Sequence, residues 1–143
     1  MCAIAGVIDW NAGGGPAPEI CEQMLQTMRQ RGPDQTGSYR DNEALLLSAR
    51  LCVTAPDIGC QPMEARRGGE HFVLVCDGEI YNADEVRAEL TGLGLAPRTR
   101  SDAEVLLNAY LAWGEGCLDK LNGVFAFAIW QERARRLFLA RDR

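Results

Sequence analysis

Apolar residues occur along the chain as short runs and helical stripes, each closed by glycine, proline or a capping residue. Ala3 to Ile8 carries Ile4, Val7 and Ile8 and predicts a buried strand that starts almost at the first residue. Gly13-Gly14-Gly15-Pro16 predicts a loop. Ile20, Met24, Leu25 and Met28 then recur at the spacing of one helix face, with the methionines as core fillers rather than ligands. Arg31-Gly32-Pro33-Asp34 stops this helix, because proline disfavours α geometry in the residue before it. Two β-like runs follow, Ala44 to Val53 and His71 to Cys76, and the second is expected to end at the turn dipeptide Asp77-Gly78. Asn82 with Glu85, and Ser101 with Glu104, have the spacing of capping boxes. Val86, Leu90 and Leu93 predict the buried side of the first of these helices. Val105, Leu106, Ala109, Tyr110 and Trp113 do so for the second, which Gly114 ends. Val124 to Trp130 and Leu137 to Ala140, around the polar stretch 131–136, predict a closing hairpin.

Composition narrows the function. At 143 residues the chain fits one domain, and 47% apolar with 24% charged residues is an ordinary globular balance. Fifteen basic against twenty acidic residues leave a net charge of −5, so there is no general electrostatic footprint for nucleic acid. His71 is the one histidine, which excludes HExxH-type and other multi-histidine metal sites, and a structural role is expected for it. The six cysteines form no CxxC pair to seed a zinc or redox site. Apart from Cys2 they are expected to be small buried residues. No stretch approaches the ~20 apolar residues that span a bilayer, and no basic region followed by an apolar run begins the chain. The expected setting is a reducing cytoplasm with no membrane partner. Arg143 follows a predicted strand without a terminating signal, so the domain is expected to be incomplete at its C-terminal end.

Cys2, directly after Met1, is the strongest chemical signal. A small second residue generally permits removal of the initiator methionine. The first residue would then carry both a thiol nucleophile and a free α-amine able to act as its base. A free α-amino group titrates near 7.7–8.0, so about a tenth of it is neutral at pH 7. Taken alone, position 2 favours an incidental cysteine.

Several separated motifs decide between these readings. Cys2-Ala3-Ile4-Ala5-Gly6, Arg31-Gly32-Pro33-Asp34, Gln61-Pro62-Met63, Asp77-Gly78-Glu79-Ile80-Tyr81-Asn82, Ser101-Asp102-Ala103-Glu104 and the ending Leu137-Phe138-Leu139-Ala140-Arg141-Asp142-Arg143 occur in one order. In that order they resemble the N-terminal glutaminase domain of asparagine synthetases, a class II glutamine amidotransferase of the N-terminal-nucleophile hydrolase type, along all 143 residues.

The resemblance implies an α+β fold, a four-layer αββα sandwich of two antiparallel sheets. It also implies hydrolysis of L-glutamine to glutamate and ammonia through a Cys2 thioester. Ammonia would pass to an ATP-dependent synthetase domain of the same polypeptide, which lies outside these 143 residues. Neither ATP, magnesium nor any other cofactor is expected in the glutaminase domain itself, and a homodimer is left open. The family's site maps onto Cys2 as nucleophile and base, and onto Asp77 and Gly78 at the oxyanion-hole positions. Arg50, Val53, Glu79 and Asp102 fall at the positions that grip glutamine. Asp77 departs from the pattern, which has asparagine there. An ionised aspartate accepts hydrogen bonds and cannot donate one to an oxyanion, whereas a protonated one could. A lost donor costs roughly 10²–10³ in rate. Two other readings follow: a catalytically weak or silent docking and channel module, motivated by Asp77, and a small binding or redox domain using the cysteines.

Overall fold

The computed structural model describes residues 2–11, 13, 15–52 and 59–143. Among them, two antiparallel sheets stack between helices. The first contains β1 (Ala3–Ile8), β2 (Gln35–Arg40) and β3 (Ala44–Arg50) in the order β1-β3-β2. The second contains β4 (Met63–Arg67), β5 (Glu70–Ile80), β6 (Gly123–Gln131) and β7 (Arg136–Arg141) in sequence order. Helix α1 (Pro18–Met28) covers the first sheet. Helices α2 (Ala83–Gly92) and α3 (Asp102–Trp113), with a 3₁₀ segment at Gly114–Lys120, cover the second.

Side-chain alternation builds the four layers. Odd positions of β1 and β3 (Ala3, Ala5, Val7; Leu45, Leu47, Ala49) pack on Cys21, Met24, Leu25 and Met28 of α1. Even positions (Ile4, Ile8; Ala44, Leu46) face the second sheet, where Val73, Val75, Ala128 and Trp130 meet them. The other side of that sheet, Leu74, Ile80, Phe127 and Ile129 among them, packs on Val86, Leu90, Val105, Leu106 and Ala109. The α+β sandwich expected from the motifs is thus observed.

The differences from expectation have physical causes. Strands β2 and β4 lie at sheet edges, where one side meets solvent. Their sequences QTGSYR and MEARR are accordingly polar and carry no apolar run to betray them. Strand β5 does not end at Asp77-Gly78: pairing with β6 continues through Gly78↔Phe125 to Ile80↔Gly123. Gly78 makes this possible by adopting φ 134°, where a Cβ would lie 2.0 Å from the Val124 carbonyl oxygen. Neither capping box forms. Asn82 instead accepts from Asn122 N–H and donates to the Lys120 carbonyl, tying α2 to the entrance of β6. Glu104 turns back to accept from the Arg98 and Thr99 N–H groups and the Thr99 hydroxyl. Ile20 and Leu93 are exposed, not buried. Of the other cysteines only Cys21 and Cys117 are buried. Cys52 and Cys76 are partly so, and Cys60 is exposed. His71 has the expected structural role: it is buried, with Nδ1 2.7 Å from Glu132 and Nε2 2.8 Å from Glu64. Among the described residues no helix is long and apolar enough to cross a membrane.

Candidate active site

The apolar layer between the sheets turns polar at one end. Continuing the register Ala3↔Ala49 by one residue puts Cys2 beside Arg50, whose other neighbour, on β2, is Gln35. Cys2, Ser48 and Arg50 share the even-numbered face that looks into the inter-sheet gap. Asp77 and Glu79 share the facing side with Val73 and Val75. Five of the seven positions singled out in the sequence, Cys2, Arg50, Asp77, Gly78 and Glu79, therefore converge on one rim. Asp102 joins them from the first turn of α3, where its Oδ2 accepts from the Ile80 N–H at 2.8 Å. Val53 lies outside the described residues.

Contacts across the gap bind the head of β1 to β5. The Cys2 main-chain N–H donates to Asp77 Oδ1 at 2.8 Å. Arg31 spans both partners, with Nε donating to the Cys2 carbonyl at 3.1 Å and a terminal nitrogen 3.6 Å from Asp77 Oδ2. By sequence Arg31-Gly32-Pro33-Asp34 is a turn and one of the family motifs. The structure makes it the wall of the site. Gly32 passes so close to β3 that a Cβ would fall 2.1 Å from the Ala49 carbonyl carbon. Asp34 follows, its N–H on the Arg50 carbonyl at 3.0 Å and its Oδ2 accepting from Cys52 N–H at 2.7 Å. Nothing in its local sequence marks Arg31, and its place in the family motif is the one signal for it.

Gln61 locks the two sheets together beside this rim. It is buried, its carbonyl accepts from the Ser48 hydroxyl at 2.9 Å, its Oε1 accepts from Cys76 N–H at 2.7 Å, and its Nε2 reaches Cys76 Sγ at 3.3 Å. Burial pushes the Cys76 thiol up to about 12, with Cys2, Asp102 and Asp77 nearby adding to the effect and the Gln61 bond opposing it. Cys76 is therefore a neutral packing thiol, unsuited to nucleophilic work. Main-chain alternation directs the amides of Cys76 and Ile80 away from β6, the first onto Gln61 and the second onto Asp102. Gly78 lies between them in this row.

Arg50 donates to Gln35 Oε1 at 2.7 Å and presents a guanidinium at the rim, while Glu79 is exposed. Two cations (Arg31, Arg50) and three carboxylates (Asp77, Glu79, Asp102) around a thiol make a setting for a zwitterionic amino acid rather than a polyanion. Among the described residues no group of three or more His, Cys, Asp or Glu is arranged to hold a metal ion.

Two stacked antiparallel sheets between helical layers, with a cysteine at the head of an inner-facing strand, define the N-terminal-nucleophile hydrolase type of fold. The chain belongs to the glutamine amidotransferase domain family, whose match covers residues 1–143. It is 38% identical over 143 residues to asparagine synthetase [glutamine-hydrolyzing] 3 of Bacillus subtilis (strain 168), covering 100% of this chain and 23% of that protein. It is 35% identical over 142 residues to asparagine synthetase B [glutamine-hydrolyzing] of Escherichia coli (strain K12), covering 99% and 25%. The chain thus spans about a quarter of the length of these relatives. Glutamine phosphoribosylpyrophosphate amidotransferase from B. subtilis superposes with a TM-score of 0.76 at 18% identity, over 99% of this chain and 37% of that one, a likeness of fold.

Proposed function

We propose that this domain hydrolyses L-glutamine to glutamate and ammonia, with Cys2 as nucleophile. The observation that carries the reading is the junction of Cys2 with Asp77-Gly78 across the inter-sheet gap, anchored by the 2.8 Å bond from the Cys2 nitrogen. The motif order and the family membership support it.

With Met1 removed, the Cys2 nitrogen is an α-amine. It takes the thiol proton as the sulfur attacks the side-chain amide carbon of glutamine, forming the C–S bond and a tetrahedral oxyanion. The Gly78 N–H is the donor assigned to that oxyanion. The amine passes its proton to the departing nitrogen, the C–N bond breaks, and ammonia leaves a thioester on Cys2. Water then gives a proton to the amine as its oxygen attacks the thioester carbon. The thiolate leaves, recovers that proton, and glutamate is released. Arg50 grips the substrate α-carboxylate, with a planar fork suited to two parallel bonds. Glu79 and Asp102 accept from the α-ammonium, and Val53 is assigned to substrate binding by the family resemblance alone.

Two further expectations belong to the whole polypeptide. The relatives are named glutamine-hydrolysing asparagine synthetases and are about four times as long. We therefore assign the ammonia to an ATP-dependent synthetase domain on the same polypeptide. ATP and magnesium belong to that domain, and the glutaminase domain uses no cofactor.

The test is glutamate release by the full-length protein after intact-mass confirmation that Met1 is gone, with Cys2→Ala as the blank. A covalent glutamyl adduct on Cys2 and a rate well above the blank are expected. A rate equal to the blank removes the reading and leaves a silent docking module in its place.

A further inference from the structure

Asparagine can fill the position of Asp77 as both acceptor and donor, whereas the carboxylate found here only accepts. It has two donors in reach: the Cys2 N–H at 2.8 Å from Oδ1, and the Arg31 guanidinium at 3.6 Å from Oδ2. The same guanidinium donates to the Cys2 carbonyl at 3.1 Å. Cys2, at the head of β1, is thereby held at both its nitrogen and its carbonyl by one ion pair, and neither Asp77 oxygen is offered to a developing negative charge.

We infer that Asp77 is a positioning residue for the Cys2 nitrogen, the carboxylate half of an Arg31–Asp77 clamp, and that it governs the pH at which this nitrogen can act as a base. The inference rests on the glutaminase reading for its catalytic meaning but not for its test. Once Met1 is removed, the nitrogen bonded to Asp77 is an α-amine, and a carboxylate in contact favours its ammonium form. The ammonium has no lone pair to take the thiol proton, so the charge at position 77 withdraws the base at neutral pH and restores it as pH rises. The other groups facing this nitrogen act more weakly. Arg31, from the turn after α1, disfavours the ammonium but already shares the carboxylate. Arg50 stands beside Cys2 across the β1–β3 register. The Cys76 thiol on β5 is held neutral by burial. Asp102 is engaged with the Ile80 N–H at the start of α3.

Asp77→Asn separates charge from shape. The amide oxygen can still accept from the Cys2 nitrogen, so a purely structural role leaves the amine's titration where it was. Cys2→Ala keeps the α-amine and removes the thiol, and in that background of the Met1-processed full-length protein the amine is titrated by competitive acetylation across pH, read by mass spectrometry of the N-terminal peptide. With Asp77→Asn added, the neutral fraction at pH 7 is expected to rise roughly threefold to tenfold, equivalent to about half to one pH unit. Arg31→Gln, which leaves the carboxylate to the amine alone, is expected to move the titration the opposite way. In the thiol-containing protein, the acid limb of kcat/KM for glutamate release shifts down with Asp77→Asn, and the neutral rate rises. Identical amine titration with aspartate and asparagine at 77, or a shift of the same sign in both variants, overturns the inference. Absence of turnover in every version defeats the glutaminase reading instead, and the acetylation titration still decides the role of Asp77.

Discussion

Asp102, in the first turn of α3, holds the end of β5 by accepting the Ile80 N–H on Oδ2 at 2.8 Å. One oxygen is thus fixed by the fold, and the carboxylate is oriented toward the rim that carries Cys2 and Asp77. The acid also sits favourably against the positive end of the helix dipole, so stability and the proposed substrate binding draw on the same group. Asp102→Asn keeps an acceptor for Ile80 and loses the charge for a substrate ammonium. A charge-assisted hydrogen bond is worth about 1.5–3 kcal/mol. KM for glutamine is therefore expected to rise by about 10- to 100-fold, with little change in melting temperature. Asp102→Ala also leaves the Ile80 N–H without its partner, and denaturant unfolding should show a further loss of about 1–3 kcal/mol.

Arg50 yields a sharper comparison. Its guanidinium is oriented by Gln35 at 2.7 Å and stands beside Cys2 in the register. Arg50→Lys retains the charge but not the two-pronged geometry. KM for glutamine is expected to increase about tenfold or more while kcat changes by less, and Arg50→Gln to increase KM further. Equal KM values for wild type and both variants would remove Arg50 from the carboxylate site.

Legibility followed the strength of each local signal. The core strands and helix faces were readable because Leu45, Leu47, Val73, Val75, Ile129 and the stripe on α3 are apolar at the right period and are buried. Edge strands β2 and β4 were not, since half of each meets solvent and the sequence is polar. Asp77-Gly78 reads locally as a turn, yet it lies inside a strand, because pairing with β6 overrides local preference and glycine alone tolerates the required φ. The site residues were found through the order of motifs and not through their own neighbourhoods, in which Arg50, Glu79 and Asp102 look like surface charges. Arg31's contacts with Cys2 and Asp77 join positions 29 and 46 residues away in sequence, a relation no local window contains.

At the opposite end of the sandwich, Asp41 closes the β2–β3 turn. Its carboxylate accepts from Glu43 N–H at 2.7 Å, Ala44 N–H at 2.6 Å, the Trp130 indole at 2.6 Å and the Tyr39 hydroxyl at 3.1 Å. Burial by itself pushes the carboxyl pKa up, but these four donors together outweigh it and hold the folded value below the ordinary 3.8. A depressed folded value means that the stabilisation is complete above the unfolded pKa and is lost as pH falls through the folded one. Asp41→Asn is expected to reduce unfolding free energy at pH 7 by about 1.5–3 kcal/mol. The gap to wild type should narrow below about pH 4. Urea titrations at several pH values would show this, and a gap constant down to pH 2 would contradict it.

Gly78 joins fold and chemistry at one position. A methyl group there would meet the Val124 carbonyl oxygen at 2.0 Å and Phe125 Cα at 2.6 Å, both main-chain atoms with no side-chain freedom to yield. The φ of 134° is independently unfavourable for an L side chain. Gly78→Ala is therefore expected to lower unfolding free energy by about 2–5 kcal/mol, combining backbone strain with overpacking. Gly92, near the end of α2, is the matched control, because nothing lies within 4 Å of its added Cβ and its φ lies outside the left-handed range. Gly92→Ala should leave stability unchanged or raise it by up to ~1 kcal/mol. If Gly78→Ala is assayed well below its own melting temperature, glutamate release should still fall, because alanine keeps the N–H but the backbone shift its Cβ forces carries that donor away from the oxyanion, a misplacement worth up to about 10² in rate. A folded Gly78→Ala protein with wild-type turnover would show that the backbone geometry at this position does not set the rate, and would leave Gly78 a purely architectural glycine.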